Sequence, residues 1–133
     1  MSDPVVLDGL DAVRASVGTT LGPTEWVEIT QDRLDEFAAA CPGAPVGWLL
    51  LSMTNLFMPE MVTVTGISAG LNLGTGEIRF LVDSVAPATR IRATGSIDAA
   101  TDAKGGVQTV IHIHVESDTA PLLTVQSLSR WLE

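Results

Sequence analysis

A single cysteine, Cys41, and seven Lys and Arg against sixteen Asp and Glu set the first limits on this chain. One cysteine excludes an internal disulfide and suits a reducing compartment, so a cytoplasmic location is expected. The scarcity of basic residues, with a formal net charge of −9, disfavours nucleic acid and anionic membrane, because both need clustered Lys and Arg. No basic segment precedes an apolar run near the start, so no signal peptide is expected. The longest apolar run, Val46 to Met58, is short and interrupted by Ser52, Thr54 and Asn55, which fits a core helix and not a membrane span. Repeats, linkers and low-complexity segments are also missing. The most informative lack is local: from Phe37 to Pro59 there is no Asp, Glu, His, Lys or Arg.

What remains is apolar and compactly punctuated. A length of 133 residues predicts one domain over 1–133, large enough to bury a core. Hydrophobic residues make up 46% and the mean hydropathy is +0.33, high for so small a domain. Some apolar area is therefore expected to be covered by a partner subunit or a ligand.

Leu7, Leu10, Val13 and Val17 are spaced as one face of a helix, so residues 1–22 read as an N-terminal helical extension ended by Gly18 to Pro23. Glu25 to Ile29 alternates as a short strand. Thr30 reads as an N-cap, with Ile29 and Leu34 placed to form a hydrophobic staple. The helix that follows is expected to bury Leu34, Phe37, Ala38 and Cys41, and Pro42-Gly43 stops it. A second helix from about Val46 to Met58 is apolar on nearly every face, which predicts burial on all sides, with Pro59 closing it. The period then switches to two. Val62 to Ala69, Leu71 to Leu73, Glu77 to Val82, Thr89 to Asp98, Val107 to Glu116 and Leu122 to Leu132 read as strands separated by turn material such as Gly74-Thr75-Gly76. A buried helix followed by consecutive antiparallel strands predicts an α+β fold, an antiparallel sheet wrapped around a central helix. This is the hotdog arrangement.

The order of several short markers carries a resemblance. Trp26-Val27-Glu28-Ile29-Thr30-Gln31 leads into Leu34 and Phe37-Ala38; Leu50-Leu51-Ser52 lies in the apolar helix; Asn72-Leu73-Gly74 precedes Arg79-Phe80; and Val85 is followed by Thr89-Arg90-Ile91-Arg92-Ala93. In this order, from about Leu21 to Leu132, they resemble the MaoC-like (R)-specific enoyl-CoA hydratases and dehydratases. The resemblance implies a hotdog fold, acyl-thioester substrates, no cofactor and a homodimer with pockets at its interface. It also implies a catalytic Asp and His on an overhanging segment before the central helix. Here Ala40-Cys41-Pro42-Gly43 takes the place of that corner, and the chain passes almost directly into Gly47-Trp48-Leu49. A general acid–base pair needs ionisable groups within hydrogen-bond reach, and neither has a counterpart.

Gly47 matches the glycine that opens the family's buried helix, whose N–H polarises the thioester carbonyl in relatives. A helix N-terminus offers free N–H groups for that purpose; close packing under the sheet is the equal alternative. Ser52 and Asn55 share a helix face and are candidates to line a cavity or act catalytically. Trp48 would cap that cavity or fill the space left by the missing segment, and filling is favoured. Cys41 sits near the expected pocket, but at a helix C-terminus that raises a thiol pKa; a buried small hydrophobe is the preferred reading. His112, His114 and Glu116 alternate on one strand face, which superficially suggests a metal site. The spacing is awkward for a shared ion, so no metal is expected and a solvated outer face is preferred. Arg90 and Arg92 read as salt-bridge partners of the abundant carboxylates ahead of phosphate contacts.

Three functions follow from this pattern. The leading one is a catalytically degenerate hotdog protein that binds an acyl thioester or another apolar small molecule, as a homodimer or an accessory subunit. The alternative is a repurposed isomerase, cyclase or dehydratase using a pocket beside the central helix. The third is a hydratase whose acid and base come from elsewhere, such as His112 or His114 of a facing subunit.

Overall fold

The computed structural model describes residues 3–133. It contains the strands β1 (Val5–Asp8), β2 (Thr20–Leu21), β3 (Val27–Ile29), β4 (Val62–Thr65), β5 (Ala69–Phe80), β6 (Thr89–Ala103), β7 (Gly106–Ser117) and β8 (Pro121–Leu132). Three helices complete it: α1 (Leu10–Arg14), α2 (Gln31–Ala40) and α3 (Gly47–Met61). The main sheet is antiparallel in the order β2-β6-β7-β8-β5, with β3 also paired to β6. α3 packs against the inner face of β6, β7 and β8. The expected α+β architecture, a sheet curved over a central helix, is what the chain adopts.

Period-two patterning explains the sheet's two faces. Ile91, Ala93 and Ile97 of β6, Ile111, Ile113 and Val115 of β7, and Leu123 and Val125 of β8 are buried inward. They close over Leu49, Leu50, Met53, Phe57 and Met61 of α3 in one core cluster. Each fully buried Leu, Ile or Phe contributes about 1.5–3 kcal/mol relative to exposure, so this cluster supplies most of the fold's driving force.

α3 is covered on one side only. Trp48, Ser52, Asn55, Leu56 and Pro59 recur at helical spacing and are exposed, with Trp48 at 50% and Leu56 at 55%. The expectation of burial on all sides therefore fails within one chain: the sheet covers only one face of the helix, and the other stays exposed. Pro59 also lies inside the last turn instead of closing the helix.

The N-terminal helical extension is corrected too. Only Leu10–Arg14 is helical, and Val5–Asp8 is a strand paired in parallel with β4. Val5-Val6 favour extended backbone, and Gly9, at φ +83, turns the chain out of β1. The first two residues of that expected helix lie outside the described residues. Thr30 does cap α2, its Oγ1 accepting from the Arg33 N–H at 3.1 Å. The burial expected of α2 is not met: Leu34 and Phe37 are half-buried against the core, while Ala38 and Cys41 are exposed. Gly74-Thr75-Gly76 is no turn but an irregular stretch inside a continuous β5, with register shifts between Asn72 and Gly74 and between Thr75 and Ile78. No helix among the described residues is long and apolar enough to cross a membrane.

Candidate functional site

The open face of α3 borders a groove whose far wall is β5 and β8. Two hollows, of about 270 and 240 Å³, share Thr54, Asn55, Asn72 and Ser127 and so form one continuous trough. At the α3 N-terminal end it is lined by Trp48, Leu51 and Ser52. At the other end Met58, Pro59, Gly70 and Trp131 line it. The β8 contributors, Val125, Ser127, Ser129 and Trp131, follow from period-two alternation, because they continue the inward face begun by Leu123.

The chemistry of the lining is uniform. It offers hydroxyls and amides over an apolar floor, and it contains no ionisable side chain. Two of the hydroxyls are already engaged: Ser52 Oγ donates to the Leu49 carbonyl and Thr54 Oγ1 to that of Leu51, each at 2.7 Å. Their oxygens keep acceptor capacity for a ligand, but neither has a base beside it to make it a nucleophile.

Of the residues singled out from the sequence, Trp48, Ser52 and Asn55 meet in this groove. Trp48 packs its ring against Phe80, centroids 5.7 Å apart, and stands half in solvent; it rims the groove and does not fill a void. Gly47 is buried directly beneath Phe80, and a methyl group added there would overlap that ring. Close packing thus explains the glycine. At the same helix start, Trp48, Leu49 and Leu50 donate their N–H groups to Pro45 and Val46 carbonyls. The Gly47 N–H makes no backbone hydrogen bond among the described residues. Cys41 does not join the site: it is an exposed free thiol at the end of α2 and no buried hydrophobe, because α2 touches the core only through Leu34 and Phe37.

Sequence reasoning missed Thr54, Asn72, Ser127 and Trp131. The signal was present for Ser127 and Ser129, polar residues on the same strand face as buried Leu123 and Val125. For Asn72 it was hidden, because its strand was read as ending at Gly74.

The opposite, outer face of the sheet holds the charged groups. His112 and His114 lie side by side with ring centroids 4.5 Å apart and planes tilted by 45°, while Ile111, Ile113 and Val115 point inward. Burial, and then the neighbouring His112, push the His114 pKa below its usual value. His112 Nδ1 lies 3.8 Å from Asp98. Arg92 pairs with Glu116 at 3.4 Å and lies 4.4 Å over the Trp26 ring, which Arg90 approaches at 5.2 Å. Among the described residues no cluster of His, Cys, Asp and Glu is arranged to hold a metal ion. A larger polar cleft of about 440 Å³ lies between the loop before β6 and the turn before β8, and its lining includes no residue of α3. Of the residues weighed from the sequence it holds Arg90 alone, and none of Gly47, Trp48, Ser52, Asn55 or Cys41.

This architecture, a sheet curved over one central helix with a groove beside it, is the hotdog fold of the MaoC-like dehydratases and (R)-hydratases. Solved structures agree. A MaoC-like dehydratase from Rhodospirillum rubrum superposes with a TM-score of 0.70 over 88% of this chain and 93% of its own, at 11% identity. The monoamine oxidase regulatory protein from Archaeoglobus fulgius superposes at 0.69 over 99% and 97%, with 14% identity. The (R)-hydratase from A. caviae gives 0.59 over 86% and 95%, with 12% identity. At such identities the likeness shows the fold alone. No protein-family model matches the chain. By sequence, the chain is 28% identical to 3-hydroxyacyl-thioester dehydratase Z of Mycobacterium tuberculosis, over 89% of this chain and 92% of that protein. That match runs over 140 positions, whereas 89% of 133 residues is about 118, so about 22 positions have no residue here.

Proposed function

We propose that this chain is a hotdog protein that holds an acyl thioester, or a similarly uncharged apolar molecule, in the groove beside α3 without performing a hydratase's acid–base step. The observation that carries the reading is the groove's lining, which contains no group able to take or give a proton near neutral pH. The likeness to a 3-hydroxyacyl-thioester dehydratase supports the ligand class. Trp48, Ser52 and Asn55 contact the ligand in this reading, with Ser52 and Asn55 as hydrogen-bonding groups. Gly47 supports the helix start beneath Phe80 and offers its N–H, and Cys41 has no part.

The protein acts as a homodimer, or paired with an active subunit, joined along β5. That strand is an edge, it exposes Leu71 and Leu73, and it borders the open face of α3. An edge-to-edge dimer leaves the outer faces outermost, so His112 and His114 of a second copy stay on the side of the sheet away from the groove. This argues against a hydratase that borrows its base from those histidines. The repurposed-enzyme reading has one observation in its favour, the gathering of Ser52, Thr54, Asn55, Asn72 and Ser127 at one place.

Incubation in heavy water with enoyl and 3-hydroxyacyl thioesters, followed by mass spectrometry, tests the proposal. Saturable binding with no mass shift above the protein-free control is the expected result. Water addition, water loss or C–H exchange that disappears in Ser52→Ala or Asn55→Ala would replace the proposal with the repurposed enzyme.

A further inference from the structure

The groove has a defined far end. From Trp48 to Pro59 the helix rises about 16 Å, so the trough beside it suits an extended chain better than a compact ring system. Its lining is free of charge in a protein that carries 16 acidic and 7 basic residues. A phosphate or carboxylate drawn into it would lose its hydration without gaining an opposite charge. An alkyl chain would lose nothing.

Trp131 stands at that far end and is held at both edges. Its Nε1–H donates to Thr109 Oγ1 at 3.0 Å, and Thr109 is itself only 1% exposed. Across the β5–β8 ladder Trp131 faces Gly70. A Cβ at Gly70 would sit 2.7 Å from the indole Cζ3, so only glycine leaves the six-membered ring where it is. A large flat side chain, hydrogen-bonded at one edge and seated over a glycine at the other, is a wall of fixed position.

We propose that Trp131, seated over Gly70, is the residue that limits how long an acyl chain the groove admits. The inference rests on the groove binding an acyl chain, and it adds which residue ends that chain's path.

The test is equilibrium binding, by calorimetry on the full chain, of straight-chain acyl N-acetylcysteamine thioesters that lengthen by two carbons at each step. Each buried methylene is expected to tighten binding about fourfold until the chain end meets the indole, after which the gain stops. Trp131→Ala moves that stop to longer chains by at least one step. Gly70→Ala drives the indole toward α3 and moves the stop to shorter chains. Trp131→Phe keeps a ring in place and shifts it least. If Trp131→Ala fails to fold, as judged by circular dichroism, the shift in Gly70→Ala decides. A wild-type series with a clear stop that stays in place in the folded variants overturns the wall and leaves the groove standing. A wild-type series with no gain per methylene at any length overturns both.

Discussion

β7 and β5 belong to one sheet and are each 12 residues long, yet they are built to opposite rules. Along β7 nearly every second residue is buried, because β6 and β8 flank it and α3 lies across its inner face. Along β5 only Ile78 is even half-buried. It has one neighbour, β8, carries glycines at 70, 74 and 76, and slips register twice. Six of the eight large hydrophobics exposed among the described residues, Trp48, Leu56, Leu71, Leu73, Phe80 and Leu81, lie on α3, on β5 or just after it. The molecule thus keeps its packed core apart from its exposed apolar surface. β6, β7 and β8 supply the core, and the α3–β5 side supplies an apolar surface that a monomer leaves uncovered.

The sharpest way to break this comparison is to make equivalent truncations on the two strands. Ile111→Ala in β7 is expected to lose about 3 kcal/mol of stability, the range for emptying a fully buried site. Leu73→Ala in β5 should change the stability of an isolated chain by less than about 0.5 kcal/mol. Urea unfolding measures both. Equal losses would mean that β5 is as buried in solution as β7. Concentration dependence then identifies the cover, since a second copy stabilises by mass action. In that case Leu73→Glu should yield a folded monomer in light scattering.

The next effect lies where the two regions touch. Gly47, at the start of α3, packs under Phe80, the last residue of β5. Gly47→Ala is expected to destabilise by about 1–3 kcal/mol through overpacking. If the ring is the cause, the same change made in a Phe80→Ala background should have little effect. A double-mutant cycle showing simple additivity would place the cause in the helix start itself.

How much of this was legible in the sequence follows the same division. The inward alternation of β7 and β8, the Thr30 cap and the apolar helix could be read directly, because a central strand or a capped helix obeys one local rule. Reading failed where two rules compete. Leu7, Leu10 and Val13 satisfy a helical period, but Val5-Val6 and Gly9 let β1 pair with β4, a tertiary choice that no local window contains. Gly74 and Gly76 look like a turn and are instead irregularities of an edge strand. The site was half visible: Trp48, Ser52 and Asn55 could be placed on one helix face, whereas Asn72, Ser127 and Trp131 reach the groove only through the β5–β8 pairing. Cys41 misled because helical spacing was taken as burial, and α2 is a surface helix.

A smaller effect is expected on the connection between the two regions. Ala88, in the segment between β5 and β6, adopts φ 69, a left-handed conformation that disfavours any side chain, while its N–H donates to the Ile29 carbonyl at 2.8 Å. Relief of that strain is worth about 1–2 kcal/mol, of which the freer unfolded chain of a glycine variant takes back about 0.4–1. Ala88→Gly should therefore raise stability by up to about 1.6 kcal/mol in urea unfolding. A decrease would show that the conformation is not held against a steric cost.

The smallest expected effect concerns the outer face and separates it from the groove. Burial and then the positive charge of His112 hold the His114 pKa below 6.5, partly opposed by Asp98 and Glu116. The unfolded chain then takes up this proton more readily than the folded one. Stability is accordingly lost as pH falls through the unfolded value of about 6.5, and the loss levels off below the folded pKa. His114→Gln cannot take up the proton, so its stability relative to the wild type should improve on acidification through that window and stay constant above about pH 7. Urea midpoints at a series of pH values measure the difference, and parallel curves would refute the assignment. Ligand binding in the groove should be unaffected by the same variant, because the inner and outer faces of the sheet share β7 but no side chain. A coupled change in binding would mean that the outer face communicates with α3 through the strand, and the division between the packed sheet and the open groove would have to be redrawn.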